Sequence, residues 1–453
     1  MQLNDIKTIY FVGIGGIGMS ALARYFNGRG VAVHGYDRTS TPLTLALEAE
    51  GMHIHYREAP DLIPDQVDLV VYTPAVPSSH LELQYFRAHN YPVKKRAEVL
   101  GIISRSKKTI AIAGTHGKTT TSTITAHLLR TGGVDCTAFL GGIAQNYGSN
   151  YLDGKSDWVV VEADEFDRSF LHLSPDLAGI LSMDADHLDI YGDAQSLLDT
   201  GFRAFAKKRK PGGKLWVQKD FVTHFTGEDR VIDFGLDTAA FRAEKVRVED
   251  GYFCFDYSNP DTHISDLRFT MPGRHNVENA TLAISIALEL GVSESAIREG
   301  LQSFKGIQRR FELVYRDEKV VVYDDYAHHP TELKAAINAA RSLFPDRKIT
   351  GIFQPHLYSR TRDFVDGFAE ALGQLDELYL LDIYPARELP IAGVSSDWLA
   401  KKIQMTDVHR VQLDNALDAI KKQVPEVLLT LGAGDISTLV PLIKQHLSHI
   451  EEI

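Results

Sequence analysis

The apolar residues of this chain fall into two patterns: short continuous runs, and longer stretches with apolar positions three to four residues apart. The first run, TIYFVGIG at 8–15, predicts a buried parallel strand, and Met19, Leu22, Ala23 and Phe26 after it have helical spacing. Two further strands are predicted in VAVHGYD (31–37) and DLVVYTPAVP (68–77). This alternation of strand and helix is typical of a Rossmann-like α/β domain.

The same alternation resumes further along the chain. A strand from Thr109 to Ala113 is followed by a glycine-containing loop and by a helix through Ile124, Leu128 and Leu129. Two more buried strands are predicted in WVVVE (158–162) and LAGILSMDADH (177–187). Near the C-terminus, KVVVYDD, KITGIF, ELYLLDI and VLLTLGAGD alternate with helical segments, which predicts a second doubly wound sheet. The glycines of GAGD (432–435) are interpreted as a plain turn between strand and helix.

The first residues with a predicted binding role lie at the end of the opening strand. Gly13, Gly15 and Gly18 form G-x-G-x-x-G, and Asp37 closes the next strand. This pattern predicts a diphosphate at a helix N-terminus, with Asp37 on the ribose of NAD or at the uridine end of a UDP-sugar. The substrate-binding residues predicted here are Gly15, Gly16, Ile17, Gly18, Met19, Ser20, Asp37 and Thr73.

A second phosphate loop follows the strand at 109–113. Glycine amides can wrap the phosphates of ATP, the Lys118 ammonium can neutralise them, and the Thr119 hydroxyl can bind Mg²⁺. The general motif has a glycine where this chain has Ile112. The predicted ATP-binding residues of this loop are Gly114, Thr115, His116, Gly117, Lys118, Thr119 and Thr120. A P-loop beside a separate diphosphate site argues against an NAD-dependent dehydrogenase and for an ATP-dependent enzyme that acts on a nucleotide conjugate.

Acidic and imidazole side chains end two of the predicted central strands. Glu162 ends WVVVE, and Asp186 and His187 end the run at 177–187. Ligands of α/β sheets gather outside the carboxyl ends of the strands, so these side chains are expected near the P-loop, as ligands for one or two Mg²⁺ ions.

Composition narrows the class of protein. The chain has 453 residues, 44% of them hydrophobic and 24% charged, and a net charge of -12. Its cysteines are Cys136 and Cys254, and no apolar run approaches the ~20 residues needed to cross a bilayer. We therefore expect a cytoplasmic protein with neither nucleic-acid nor membrane partners. The basic runs KKR (94–96) and KKRK (207–210) are interpreted as solvated faces.

Taken together, the motifs resemble the Mur ligases of peptidoglycan precursor synthesis, and within them the branch that adds L-alanine to UDP-N-acetylmuramate. The resemblance covers nearly the whole chain. It is carried by GIGGIGMSA (13–21), GTHGKTTT (114–121), EADEFDRSFL (162–171), DADHLDIY (184–191), GRHNVENA (273–280), RRFE (309–312), YDDYAHHPTE (323–332), QPHLYSRT (354–361) and DIYPARE (382–388).

The resemblance implies three α/β domains, which also suits the length of the chain. They are a Rossmann-like UDP-binding domain at 1–106, a central P-loop ATPase domain with a mixed sheet at 107–311, and a Rossmann-like amino-acid-binding domain at 312–453. SRSKK (104–108) is the predicted first linker, and the domains are expected to close around the substrates at hinges near 104–108 and 309–312.

The resemblance also implies roles for individual residues. Lys118 would hold the β- and γ-phosphates, Thr119 and Glu162 one Mg²⁺, and Glu162 with His187 a second. The implied adenine-side residues are His275, Asn276 and Asn279, with Arg310 and Asp325 reaching in. His116, Gly141 and Gly142 would lie near the muramate, and Tyr326, His328, His356 and Arg360 near its carboxylate or the amino acid. Sister ligases carry a carbamylated lysine where this chain has 201–203, so no carbamate-bridged metal is expected.

The implied reaction uses ATP to phosphorylate the lactyl carboxylate of UDP-N-acetylmuramate, after which the amine of L-alanine attacks the acyl phosphate. His328, His329 and His356 are candidates for the base, and helix capping is the alternative role for the two histidines before Pro330. A P-loop switch without ligase activity is one alternative function. A sister ligase that attaches a preformed peptide or another first amino acid is the other.

Overall fold

The computed structural model describes residues 3–184, 188–386 and 388–451. The chain forms two compact units. One comprises Met1–Glu244, Asp256–Ser265 and Glu278–Ser303, and the other comprises Lys245–Phe255, Asp266–Val277 and Phe304–Ile453. Among the described residues, no helix combines the length and the apolar character needed to cross a membrane.

An all-parallel sheet forms the N-terminal part of the first unit, in the order β3-β2-β1-β4-β5. Its strands are β1 (Thr8–Val12), β2 (Ala32–Tyr36), β3 (His53–His55), β4 (Leu69–Tyr72) and β5 (Val93–Lys95). The helices are α1 (Ile17–Asn27), α2 (Pro42–Ala49), α3 (Leu81–Ala88) and α4 (Arg96–Ser106). Residues Ile9 to Val12 of the central strand are fully buried, as expected for an apolar strand covered on both faces. The predicted Rossmann-like architecture is confirmed.

A larger, mixed sheet has the order β15-β14-β13-β12-β11-β10-β6-β9-β7-β8. Its strands are β6 (Lys108–Ala113), β7 (Thr137–Ala144), β8 (Ser149–Leu152), β9 (Trp158–Ala163), β10 (Leu177–Ile180), β11 (Lys214–Gln218), β12 (Val231–Leu236), β13 (Phe241–Glu249), β14 (Tyr252–Ser258) and β15 (His263–Phe269). The helices along this stretch are α5 (Lys118–Thr131), α6 (Leu188–Tyr191), α7 (Ala194–Ser196), α8 (Arg203–Ala206), α9 (Arg274–Glu289) and α10 (Glu294–Ser303). β6 pairs in parallel with β9 and β10, whereas β8 is antiparallel to β7.

The sheet of the second unit has the order β16-β17-β21-β18-β19-β20. Its strands are β16 (Glu312–Arg316), β17 (Val321–Asp325), β18 (Ile349–Phe353), β19 (Glu377–Leu380), β20 (Val408–Arg410) and β21 (Val427–Leu431). The helices are α11 (Pro330–Leu343), α12 (Tyr358–Asp363), α13 (Val365–Leu372), α14 (Ser396–Ala400), α15 (Leu413–Lys422) and α16 (Leu439–Glu451). Only the edge strand β16 is antiparallel to its neighbour among these described pairings, so the sheet is doubly wound with one reversed edge.

One strand boundary differs from the sequence-based expectation. Within the predicted strand at 177–187, β10 covers Leu177–Ile180, and residues 181–184 lie outside the sheet. At the predicted linker 104–108, α4 continues to Ser106 and β6 begins at Lys108. Ser104 is buried, and its carbonyl oxygen accepts a hydrogen bond of 3.0 Å from the Thr109 hydroxyl, which ties the helix to the strand.

Candidate functional site

The predicted P-loop lies at the carboxyl edge of the central sheet, where β6 is flanked by β9 and β10. Gly114 and Gly117 have φ values of 143° and 81°, which side chains rarely tolerate. A Cβ at Gly117 would lie 2.7 Å from Oδ1 of Asn279, so one of the predicted adenine-side residues lies against this loop. The loop therefore has a backbone that only glycine can supply at these positions.

Lys118, the first residue of α5, is held by a buried carboxylate. Its ammonium donates to Oε2 of Glu165 at 2.8 Å and to the carbonyl oxygen of Gly114 at 2.6 Å. Burial alone would lower the pKa of Lys118, but the negative charges of Glu165, Asp164 and Glu162 outweigh it and raise the pKa above its ordinary value. Lys118 is thus a fixed positive charge. The motif around Glu165 contains several acids, and nothing in its spacing singles out this one as the partner.

Thr119 and Glu162 meet beside the loop, as predicted. The Thr119 hydroxyl donates to Oε2 of Glu162 at 2.8 Å. A side chain at Gly141 would overlap this carboxylate oxygen and approach Oγ1 of Thr119 to 2.7 Å, so glycine keeps the space open. A hydroxyl and a carboxylate are the hard oxygen ligands that Mg²⁺ prefers. These residues fit a magnesium site.

His116 is anchored to the segment that follows β10. Its Nε2 lies 3.0 Å from Oδ2 of Asp184, and its backbone N–H donates to the Ser182 hydroxyl at 2.8 Å. The Thr115 hydroxyl lies 3.0 Å from the same Ser182 oxygen. The segment after β10 thus supports the P-loop, as its place beside β6 in the sheet suggests. The predicted metal ligand His187, with Asp186, lies outside the described residues.

The loop with Gly13, Gly15 and Gly18 after β1, which we call the glycine cradle, contacts the carboxylate of Asp37. The backbone N–H of Gly15 donates to Oδ2 of Asp37 at 2.7 Å, and the N–H of Arg38 donates to Oδ1 at 2.8 Å. A Cβ at Gly13 would lie 3.2 Å from the methyl carbon of Thr73, which places Thr73 at the cradle. Asp37 therefore accepts hydrogen bonds within the loop, and a negative charge stands beside the predicted diphosphate site.

The side chains of two other residues predicted for the cradle lie in the protein interior. Gly16 precedes α1, but the Met19 and Ser20 side chains are buried. The Ser20 hydroxyl donates to the carbonyl of Ile17 at 2.9 Å and accepts from the amide of Asn150 at 2.9 Å. The side chains of Met19 and Ser20 are therefore part of the packed interior, so a ligand in the cradle would meet only their backbone.

Other residues predicted for the nucleotide lie in the second unit. Asn276 donates from Nδ2 to the carbonyl of Pro272 at 2.6 Å, and burial lowers the pKa of His275 to about 4, so this ring is neutral at physiological pH. Burial raises the pKa of Asp325 to about 7, partly opposed by the positive charge of Arg310. His275 and Asp325 are thus both held toward their neutral forms, so this region disfavours charge on either side chain.

Also in the second unit, three of the residues predicted for the carboxylate or the amino acid, Tyr326, His328 and His356, form a cluster of rings. The Tyr326 and His328 ring centroids are 5.2 Å apart, and those of His328 and His356 are 5.9 Å apart. The Arg310 guanidinium lies 5.2 Å from the Tyr326 ring centroid. Arg360, at the start of α12, is 9% exposed. The structure therefore brings Tyr326, His328 and His356 together, as predicted.

The two histidines before Pro330 have different roles. Nδ1 of His329 accepts the N–H of Thr331 at 3.3 Å, and Oε2 of Glu332 accepts the N–H of His329 at 3.2 Å, which closes a capping box on α11. The capping alternative is confirmed for His329. Nδ1 of His328 lies 2.9 Å from the carbonyl of Tyr326, so this nitrogen carries the proton and Nε2 is the basic one.

The GAGD loop is a structural turn, as predicted. The side-chain oxygen of Gln354 accepts the N–H of Ile436 at 2.9 Å. A Cβ at Gly432 would lie 2.7 Å from the carbonyl oxygen of Gln354. Gln354, which follows β18, therefore packs into the loop.

Comparison with known proteins places these features in one family. Residues 8–108 match the catalytic domain of the Mur ligase family, residues 112–287 its middle domain, and residues 309–434 its glutamate ligase domain. The chain belongs to the Mur ligase family. A curated relative from Flavobacterium johnsoniae, named UDP-N-acetylmuramate--L-alanine ligase, is 49% identical over 452 residues, covering 99% of each chain. A relative of the same name from Porphyromonas gingivalis is 48% identical over 453 residues, covering 98% of this chain and 99% of its own.

Solved structures agree with this assignment. The crystal structure of a UDP-N-acetylmuramate-alanine ligase from Thermotoga maritima superposes with a TM-score of 0.84 at 29% identity, covering 98% of this chain and 99% of that chain. A murein peptide ligase from Psychrobacter arcticus has the same fold, with a TM-score of 0.71 at 22% identity, covering 97% of this chain and 98% of that chain. This Mur ligase therefore has the predicted three-domain α/β fold. Its family membership argues against the two alternative functions, a dehydrogenase and a P-loop switch.

Proposed function

We propose that this Mur ligase uses ATP to join L-alanine to the lactyl carboxylate of UDP-N-acetylmuramate in peptidoglycan precursor synthesis. The observation that carries the proposal is the P-loop, where Lys118 and the oxygen pair of Thr119 and Glu162 stand side by side. The names of full-length relatives at 46–49% identity supply the substrates.

The reaction class follows from the chemistry of the substrates. A carboxylate is too poor an electrophile to form an amide directly. Transfer of the γ-phosphoryl group of ATP to a lactyl oxygen gives an acyl phosphate and ADP. The neutral amine of L-alanine then attacks the acyl carbon, and phosphate leaves as the amide forms. Phosphoryl transfer needs mainly positioning and neutralisation of charge.

ATP and Mg²⁺ fit the residues of the loop. Gly114 and Gly117 would let the backbone wrap the phosphates, and Lys118 would neutralise them. Thr119 and Glu162 would hold Mg²⁺, which supplies further neutralisation of the transferred phosphoryl group. His187 stays the proposed ligand, with Glu162, of a second ion.

We assign His328 as the base that takes the proton from the attacking amine. Its Nδ1 faces the carbonyl oxygen of Tyr326, which can only accept a hydrogen bond, so Nε2 is the ring nitrogen that would take up the proton. His329 uses its ring in the helix cap, and His356 stacks on Tyr384 with ring centroids 5.7 Å apart. His328 is therefore the strongest of the three candidate bases.

A phosphate-release assay tests the proposal. The enzyme is supplied with ATP, Mg²⁺ and UDP-N-acetylmuramate, and with L-alanine, glycine, L-serine or a short peptide in separate reactions. We expect the highest kcat/KM with L-alanine and no release when UDP-N-acetylmuramate is omitted. Release that requires the peptide and ignores L-alanine would instead identify the sister ligase that attaches a preformed peptide.

A further inference from the structure

An arginine lies directly on the glycine cradle of the N-terminal sheet. Arg96 is the first residue of α4, and a Cβ at Gly18 would lie 2.8 Å from its Nη1 and 3.1 Å from its Cζ. The guanidinium therefore packs against the backbone of Gly18, in the first turn of α1. Any larger residue at position 18 would displace it. The third glycine of the fingerprint thus makes room for the Arg96 guanidinium.

The run KKR at 94–96 is not the solvated face that its composition suggests. Lys95 pairs with Asp167 at 2.8 Å, and both side chains are partly buried. Arg96 is also partly buried, yet within residues 3–184, 188–386 and 388–451 its side chain has neither a hydrogen bond nor an ion pair. Arginine side chains that give up water normally gain an anionic partner. The two neighbouring cations therefore differ, since Lys95 is paired with an acid and Arg96 has no acidic partner in the described part of the chain.

Charge at the cradle explains why a cation is needed there. The diphosphate of a nucleotide sugar carries two negative charges, and the Asp37 carboxylate already accepts the N–H of Gly15. The start of α1 offers only about half a positive charge through the helix dipole. A guanidinium adds a full charge and can donate two parallel hydrogen bonds to phosphate oxygens.

We propose that Arg96 binds the diphosphate of the UDP-sugar substrate and offsets the charge of Asp37 at the cradle. The assignment rests on the proposed function, because it takes the cradle to be the nucleotide-sugar site. Arg96 then acts on substrate binding and not on the transfer of phosphate from ATP. Removing its charge should weaken every ligand that carries the diphosphate and leave ligands without it unaffected.

Calorimetric titration of the full-length enzyme tests this with UDP-N-acetylmuramate, UDP and uridine. We expect Arg96→Gln to weaken binding of the first two ligands by about 10- to 100-fold, the range for a lost charge-assisted contact, and to leave uridine unchanged. Arg96→Lys keeps the charge but not the two-pronged geometry and should fall between Arg96→Gln and the wild type. Gly18→Ala should resemble Arg96→Gln, because its methyl group displaces the guanidinium.

Arg105→Gln is the matched control. Arg105 lies on the same helix, about 13 Å further along by the rise per residue, and is exposed to solvent. The Arg105→Gln variant should bind all three ligands as the wild type does. The KM for ATP of Arg96→Gln and of Arg96→Lys should stay at the wild-type value. An unchanged KM would show that both variants are folded.

The outcomes separate the two proposals. Equal affinity of wild type and Arg96→Gln for UDP would overturn the role of Arg96 while leaving the proposed function intact. The same is true if Arg96→Gln weakens uridine as much as UDP, since the defect would then be structural. Failure of the wild type to bind either UDP ligand would overturn the proposed function itself.

Discussion

Replacing Lys118 with alanine tests both the chemistry and the energetics of the P-loop. The side chain of Glu165 is fully buried and that of Lys118 is 12% exposed, with 2.8 Å between the ammonium and the carboxylate. The variant should lose phosphate release, because no other side chain of the loop carries a positive charge to the phosphates. It should keep its affinity for UDP-N-acetylmuramate, because the cradle belongs to a different sheet.

The same substitution removes a cation from a buried carboxylate. Breaking a buried ion pair by deleting one partner costs about 3–5 kcal/mol of folding free energy. Glu165→Gln, added to the alanine variant, removes the stranded charge and should recover part of this loss. The coupling between the two sites, measured by a double-mutant cycle, should reach about 1–3 kcal/mol.

The stability of the wild type and that of Lys118→Ala should depend on pH in directions that follow from the two pKa values. The Lys118 pKa is raised in the folded enzyme, so its contribution to stability is complete below the ordinary lysine value of about 10.4 and is lost only as pH rises through the folded value. In Lys118→Ala, burial should raise the pKa of the Glu165 carboxyl, so the stability of the variant falls as pH rises above about 4. The difference in stability from wild type should therefore widen between about pH 4.5 and pH 8.

Urea unfolding of the wild type, Lys118→Ala, Glu165→Gln and the double variant at several pH values measures these quantities. The midpoint and the slope together separate a change of stability from a change of the unfolded state. If Lys118→Ala unfolds at the wild-type midpoint at neutral pH, the pair contributes nothing to stability and the reasoning from burial is refuted. A difference from wild type that does not change with pH would refute the assignment of the stranded charge to Glu165.

Three further predictions follow from the other parts of the enzyme. UDP-N-acetylmuramate should raise the melting temperature and NAD should not, since only a ligand of the native state stabilises it; stabilisation by NAD alone would contradict the assignment of the cradle. Gly141→Ala should abolish phosphate release, because its methyl group overlaps Oε2 of Glu162 and comes within 2.7 Å of Oγ1 of Thr119. The control variant Gly28→Ala, at a φ of -62°, should remain active. Equal activity of the two variants would argue against the magnesium site. The Asp325 pKa is raised to about 7, so its contribution to stability is present below the ordinary value of about 3.9 and lost as pH rises through about 7. Asp325→Asn should thus reduce the loss of stability in urea unfolding between about pH 5 and pH 8, and an unchanged pH dependence would contradict this.

Local sequence was sufficient wherever function depends on neighbours along the chain. The P-loop could be recognised despite Ile112, because phosphate binding needs glycines, a lysine and a hydroxyl within a few residues of a strand end. The meeting of Thr119 and Glu162 was also predictable, since two parallel strands deliver their carboxyl ends to the same edge of a sheet. The hydrophobic pattern likewise predicted the principal strands, although it placed the end of β10 too far along the chain.

Contacts between residues distant in sequence needed the tertiary structure. Glu165 is one of several acids in its motif, and only packing selects it as the partner of Lys118. Arg96 sits in a basic run that looks solvated, and only the meeting of α4 with α1 places it on Gly18. The sequence by itself determined which chemical groups the enzyme has and the order of the strands that carry them. The tertiary structure alone decided which of those groups are buried together, because burial and charge pairing depend on distances that composition and spacing do not contain.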